Sequence, residues 1–272
     1  MSTYIEKTLE LKYPPLAIFH SQARPDEAKE TNLQCAMSLV AQAAKGETVA
    51  MDAATCRCNG AASGFGLVDF DIGAFPGGRD CFLHFLSIGN KGWERGRTVI
   101  AQLQESGAPK HMLEEFSEGE GFRKSPEVVS NWHSSLPKVD PSGPWAVIKP
   151  LKDLKEGEIP RAVTFLVNPD QLSALVVLAN FPGPGDVDRV RVPFGAGCQC
   201  MGLFPFAEAD REPPRAIVGL TDISARLYLR KALDHDVLSF TAPWGLYQEM
   251  EANAPESFLN RFAWKTIMGK KE

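Results

Sequence analysis

Four of the six cysteines in this chain stand in two matching stretches, Ala54-Thr55-Cys56-Arg57-Cys58-Asn59-Gly60 and Ala196-Gly197-Cys198-Gln199-Cys200-Met201-Gly202. Each is a C-x-C-x-G motif, two thiols one residue apart beside a glycine, and paired soft ligands of this kind point first to metal chemistry. In an extended segment, residues i and i+2 project to the same side about 6 to 7 Å apart, because each residue advances about 3.3 Å. Two thiolates bound to one zinc ion at about 2.3 Å each must lie within about 4 Å of one another. A flat C-x-C is therefore too wide for one zinc, although a turn at the glycine narrows it. The wider spacing suits ligands on two different irons, and four thiolates are the usual complement of a [4Fe–4S] cluster. Cys35, read as opening a helix, is a fifth candidate, since the dipole at a helix start favours a thiolate.

Gly60, Gly64 and Gly202 lie beside these thiols and permit close backbone approach to a cofactor. Other chemistry is weakly represented. The run Gly60-x-x-x-Gly64-x-Gly66 does not match the dinucleotide fingerprint and lacks the lysine of a phosphate loop. There is no C-x-x-C, no H-E-x-x-H and no G-x-S-x-G. His20, His84, His111, His133 and His235 are scattered rather than clustered, and each reads as a surface or satisfied core histidine. Asp222 and Arg226 are four apart and can pair on a helix face; they bear on catalysis only if they face the thiols. The plain alternative for the cysteines is burial as small apolar residues, and it is the preferred reading for Cys81.

Composition limits where such a site can reside. The chain has 272 residues, 44% of them hydrophobic and 23% charged, which suffices for a core without covalent staples. A net charge of -5 and the absence of a basic tract argue against nucleic acid or an anionic membrane as partner. No apolar run of about 18 residues suggests a membrane span, and the start, Met1 to Lys7, lacks signal-peptide order. The expected location is the cytoplasm, where thiols stay reduced, so metal binding or thiol chemistry is favoured over disulfides.

The elements that must position the cysteines alternate along the chain. Leu16-Ala17-Ile18-Phe19 reads as a buried strand, Cys35 to Lys45 as a helix stopped by Gly46, and Thr48 to Met51 as a strand feeding the first C-x-C. Cys81 to Leu86 reads as a strand, and Trp93 to Glu105 as a helix. Leu136 to Pro144, with three prolines and a glycine, is the expected boundary between lobes 1–140 and 145–272 of a single domain. Beyond it, Trp145 to Ile148 and Arg161 to Val167 read as strands. Asn168-Pro169 caps a helix running to Asn180. Val187 to Val192 is a strand leading to the second C-x-C, Ala216 to Leu220 and Val237 to Thr241 are strands, and Trp244 to Asn253 and Pro255 to Trp264 are helices. This interleaving predicts an α+β (mixed α/β) fold, two lobes with the cysteine site between them.

Several landmarks carry a resemblance. They are Leu11-Lys12-Tyr13-Pro14-Pro15-Leu16-Ala17-Ile18, Cys35 on its helix, Cys56 ahead of the glycine loop, and Pro150-Leu151. Further on come Phe165-Leu166-Val167-Asn168-Pro169-Asp170-Gln171-Leu172, Cys198, and Gly219 with Arg226 before Phe240-x-x-Pro243. In this order they resemble the domain of unknown function 169 family of archaea and bacteria, over nearly the whole chain. The resemblance implies one full-length domain with spaced cysteines at Cys35, Cys56 and Cys198; Cys58 and Cys200 have no assigned place in that pattern. Three function classes follow. The first is an iron-sulfur protein with a redox or substrate-activating role, served by a small-molecule substrate or a redox partner protein. The second is a protein stapled by structural zinc, and the third a metal-free enzyme or small-molecule binder with a reactive thiol.

Overall fold

The computed structural model describes residues 3–29, 35–56, 58–183 and 185–270, with the backbone alone at Asn59 and Tyr228. The strands β1 (Leu16–Ser21), β2 (Val49–Met51), β3 (Trp145–Pro150), β4 (Ala162–Val167), β5 (Val190–Arg191), β6 (Ala216–Gly219) and β7 (Leu238–Pro243) form one sheet in the order β2-β3-β1-β4-β7-β6-β5. All neighbours are antiparallel except the edge pair β5 and β6. The fold is α+β, as the interleaved pattern predicts.

The helices are α1 (Tyr4–Thr8), α2 (Ala36–Ala43), α3 (Asn59–Gly64), α4 (Arg79–Phe85), α5 (Glu94–Glu105), α6 (Lys110–Glu118) and α7 (Pro126–Ser134). After β4 follow α8 (Pro169–Asn180), α9 (Gly197–Met201), α10 (Leu203–Glu208), α11 (Ile223–Leu229), α12 (Trp244–Asn253) and α13 (Phe262–Ile267). Alternate residues of a strand face opposite sides, and here both sides are apolar. Leu16, Ile18, Ala162 and Leu166 meet α2, α3, α9 and α11 on one face, while Ala17, Val163, Phe165 and Val167 meet α8, α12 and α13 on the other. Two covered faces are why β4 reads as an apolar run, interrupted at Thr164 whose hydroxyl pairs with that of Thr241 at 2.9 Å, rather than as an alternation.

Local signals account for several boundaries. Asn168 caps α8 by accepting from the Gln171 amide at 2.9 Å while the Gln171 side chain accepts from the Asn168 amide at 3.1 Å, and Pro169 takes the first helical position. Gly46, at φ 97°, adopts the left-handed conformation that ends the segment after α2. The edge strand β5 covers only two of the six residues expected from Val187 to Val192; it is tied down by Arg191, which shares the buried Glu208 carboxylate with Arg215. The stretch expected as one helix from Pro255 to Trp264 is instead two 3-10 turns, Ala254–Glu256 and Phe258–Asn260, followed by α13.

The chain divides into two compact units, one of residues 1–69 with 138–272 and the other of residues 70–137. The first unit carries the whole sheet. The second unit is helical, α4 to α7, with the Phe75 ring 5.2 to 5.8 Å from Phe82, Phe85 and Phe116. The strand expected at Cys81 to Leu86 is the helix α4. A six-residue apolar run has no readable period, and here the helix begins at Arg79 after Gly78, with Asp80 in its first turn and Cys81, Phe82 and Leu83 buried. Among the described residues no helix is long and apolar enough to cross a membrane.

Candidate functional site

Three helix starts on one face of the sheet carry cysteines. Cys35 is the N-cap of α2, Cys58 the N-cap of α3, and Cys198 the second residue of α9. Cys56 lies on the loop between β2 and α3. Cys56 and Cys198, each 8% exposed, belong to the core on this face, and Cys35 and Cys58 pack against it. The four thiols feel one another electrostatically. Charge on Cys58 raises the pKa of Cys35, Cys56 and Cys198; Cys56 acts on Cys35, and Cys35 acts on Cys198.

Local chemistry fixes each of them. The loop bearing Cys56 is closed by Asp52, whose carboxylate accepts from the Thr55 amide at 2.7 Å and its hydroxyl at 2.6 Å, and whose carbonyl accepts from the Cys56 amide at 3.2 Å. Burial works against the Asp52 charge, but the bonds from Thr55 overcome it and hold the carboxyl below its usual range. Cys56 Sγ then donates to the Cys58 carbonyl, and Cys198 Sγ to the Gly60 carbonyl, both at 3.3 Å. The latter contact exists because α3 and α9 touch through glycines. A Cβ on Gly64 would stand 2.5 Å from Cys198 Sγ, and one on Gly202 would stand 2.4 Å from the Gly64 carbonyl oxygen. Gly64 and Gly202 thus serve helix packing, and Gly60 supplies a carbonyl to a thiol.

The second C-x-C is not a turn. Its two cysteines lie on α9, where residues two apart are separated by about 200° around the axis. Cys198 faces α3; Cys200 faces the sheet, where a Cβ on Gly219 would lie 2.5 Å from its own Cβ and where it is wholly buried. Its thiol donates weakly to the Gly195 carbonyl at 3.8 Å. The charge acting on it is that of Asp222, and among the charges acting on Cys198 that of Cys200 comes after those of Cys58, Cys35 and Asp222. Cys58 thus acts on Cys35, Cys56 and Cys198, and Cys200 is the most weakly connected of the five. The C-x-C pattern makes its two cysteines equivalent only on a strand-like or turn backbone, and α9 is neither. Arg57 lies outside the described residues.

Burial decides the protonation of these thiols. It pushes Cys35 and Cys56 above the ordinary thiol value, Cys198 well above it, and Cys200 up to about 12. At Cys35 the Met37 amide pulls the other way and loses, so the helix start does not by itself produce a thiolate. Asp222 adds to the rise at Cys35, Cys198 and Cys200. Its partners are not those expected from the sequence. Asp222 accepts from Gly197 N at 3.2 Å and from Ser224 N at 2.9 Å, while Arg226 donates to the carbonyls of Leu220 at 3.2 Å, Val237 at 3.0 Å and His235. Spacing singles out Asp222 only as a partner for Arg226; its bond to Gly197 is a tertiary contact that spacing does not reveal. His20, His84 and His133 each bind a backbone carbonyl, of Phe65, Asp80 and Phe70.

Among the described residues no three His, Cys, Asp or Glu side chains are grouped so as to hold a single metal ion. No curated protein and no solved structure matches the chain. The family DUF169, described as "Uncharacterised ArCR", matches residues 4–253. With its cysteines spaced through that match, the chain belongs to the DUF169 family.

Proposed function

We propose that Cys35, Cys56, Cys58 and Cys198 hold an iron-sulfur cluster with a redox or substrate-activating role. The observation that carries this reading is the placement of four cysteines on one face of the sheet, three of them at helix starts, with Cys58 acting on the other three. Side-chain charges acting on Cys35 come from Cys58, Asp222 and Cys56, and those on Cys198 from Cys58, Cys35, Asp222 and Cys200. All oppose a thiolate. A reactive-cysteine enzyme needs the opposite, a cation or a base beside the thiol. A bound metal centre reverses the balance, because its positive charge removes the thiol protons.

A cluster is favoured over a lone zinc on spacing. One zinc needs its thiolates within about 4 Å of each other. Thiolates on separate irons stand farther apart, the separation that an extended C-x-C offers. A bound cluster would supply one-electron transfer or an electrophilic iron. The chain's own contribution is to gather the thiols, bury two of them and direct the Gly60 carbonyl at one.

Anaerobic purification with iron, zinc and sulfide counted tests the reading. Iron and sulfide in near-equal amounts, with the broad visible absorption of a cluster, is the expected result. Zinc without sulfide would select the structural staple, and colourless protein whose Cys35 is rapidly alkylated would select the metal-free thiol reading.

A further inference from the structure

Glu208, the last residue of α10, is 2% exposed and gathers three guanidinium groups. Arg215 grips it with two nitrogens, Nε on Oε2 and Nη2 on Oε1, both at 2.8 Å. Arg191 Nη1 donates to the same Oε1 at 2.6 Å, and Arg211 Nε stands 3.7 Å from Oε2. The backbone holds all three in place. Arg191 lies on β5 opposite Ile217 of β6, Arg215 directly precedes β6, and the Arg211 amide donates to the Glu208 carbonyl at 3.1 Å. One bidentate arginine already satisfies the geometry of a carboxylate, so the other two add like charge to the same place. Asp210 and Glu212 flank Arg211 in sequence, yet among the described residues no carboxylate besides Glu208 forms an ion pair with any of the three. Three positive charges meet one negative charge here, in a chain whose net charge is -5.

We propose that Arg191, Arg211 and Arg215, held by Glu208, form a binding site for a phosphate group. Donors remain for it. Glu208 occupies only Nη1 of Arg191 and leaves Nη1 of Arg215 unused, and Arg211 makes no side-chain hydrogen bond among the described residues. None of these atoms is a buried orphan, and the three side chains are 38%, 26% and 60% exposed, so a ligand reaches them from solvent. A phosphate near neutral pH carries close to two negative charges and offers three acceptor oxygens, which matches both the charge excess and the number of guanidinium groups. Planar guanidinium forks fit such oxygens two at a time. A carboxylate, with one charge, leaves part of the excess unbalanced. Glu208 is the positioning residue, since it is buried and fixes how Arg191 and Arg215 project. An exposed ion pair contributes little to stability, so stability alone does not account for Arg211 beside the other two. This site is independent of the reading of the cysteines.

Calorimetric titration of the full-length protein with inorganic phosphate at pH 7.5, with ionic strength held constant by sodium chloride, tests the assignment. Saturable binding of one phosphate per chain is expected, with a melting temperature that rises as phosphate replaces chloride. Acetate should bind about tenfold more weakly or less. Methyl phosphate separates two sources of the group: affinity equal to or above that of inorganic phosphate assigns the site to phosphate monoesters, and lower affinity assigns it to the free ion. Arg211→Gln should keep the melting temperature of the phosphate-free protein and weaken phosphate binding about tenfold, the loss of one charge-assisted hydrogen bond. Arg191→Gln should weaken it by a similar factor, and its phosphate-free melting temperature reports separately on the anchoring of β5. No saturable phosphate binding by the parent, acetate binding as tight as phosphate, or unchanged phosphate affinity when Arg191→Gln and Arg211→Gln are combined overturns the proposal.

Discussion

Gly64 and Cys198 are in contact without a side chain to spare: a Cβ at Gly64 would sit 2.5 Å from the Cys198 sulfur and 2.8 Å from its Cβ. Position 64 is the last residue of α3 and Cys198 belongs to α9, so this one contact sets the distance between the helices that carry Cys58 and Cys198. It also lets the Cys198 thiol reach the Gly60 carbonyl.

Gly64→Ala is therefore expected to damage site and stability together. The added methyl meets a buried sulfur and, at 3.1 Å, the Cys198 backbone, neither of which can rotate away. Overpacking of this kind costs about 1 to 3 kcal/mol, partly offset by the better helix propensity of alanine, up to about 1 kcal/mol. Urea denaturation should show a net loss of about 1 to 2 kcal/mol, and iron content per chain should fall. A variant as stable and as iron-rich as the parent would refute the packing role.

The four gathered cysteines and the fifth should behave differently. Alanine at Cys35, Cys56, Cys58 or Cys198 is expected to remove most of the bound iron and sulfide. Cys200→Ala should retain both and lose about 1 kcal/mol of stability, the cost of a small cavity between α9 and β6. Iron and sulfide analysis of the five variants distinguishes this pattern from one in which Cys200 is an equal partner.

Much of this was legible in the residues, and the gaps have physical causes. The buried strands β1, β3 and β4 stood out as apolar, β-branched runs, and the caps at Asn168 and Gly46 act through local chemistry that short sequence reading captures. The place of Cys35 at the start of a helix was legible in the sequence, but the opposite directions taken by Cys198 and Cys200 were not. Whether residues i and i+2 share a side depends on strand or helix, and in the five-residue helix α9 tertiary packing settles that choice. The same ambiguity turned the apolar run at Cys81 into a helix where a strand was expected. Asp222 was legible only as a partner for Arg226, because Gly197, to which it binds, lies 25 positions away.

A buried ammonium makes a separate test of the sheet. Lys149 on β3 has a side chain 1% exposed and binds Glu27 at 3.1 Å and Glu158 at 2.9 Å, with Lys155 also on Glu27. Removing both carboxylates strands the charge, so Glu27→Ala with Glu158→Ala should cost about 3 kcal/mol or more. Lys149→Met leaves the two partly exposed carboxylates able to reach water and should cost less, about 2 kcal/mol. Lys155, Glu27's own backbone amide and Lys149 hold the Glu27 carboxyl at about 2. Its folded value lies below the ordinary 4.5, so its stabilisation is full above pH 4.5 and is lost as pH falls from there toward 2. Chemical denaturation of the three proteins across pH 2 to 7 checks both the ranking and the acid limb.

His20 predicts a second, milder pH effect close to neutrality. Its Nε2 donates to the Phe65 carbonyl at 2.7 Å and its Nδ1 accepts from Ser142 N at 3.3 Å, so the ring is neutral with both nitrogens satisfied. Burial depresses its pKa below 6.5; the Phe65 carbonyl opposes this and nearby Arg161 reinforces it. A base with a lowered folded pKa binds fewer protons folded than unfolded between the two values. Stability is then complete above about pH 6.5 and declines as pH falls from 6.5 toward the lower folded value, where the decline stops. His20→Gln cannot titrate, so its melting temperature, lower than the parent's at pH 8 through lost packing against Phe206, should change less between pH 7 and 5. Parallel slopes for the two proteins over that interval would show that His20 does not remain neutral in the fold.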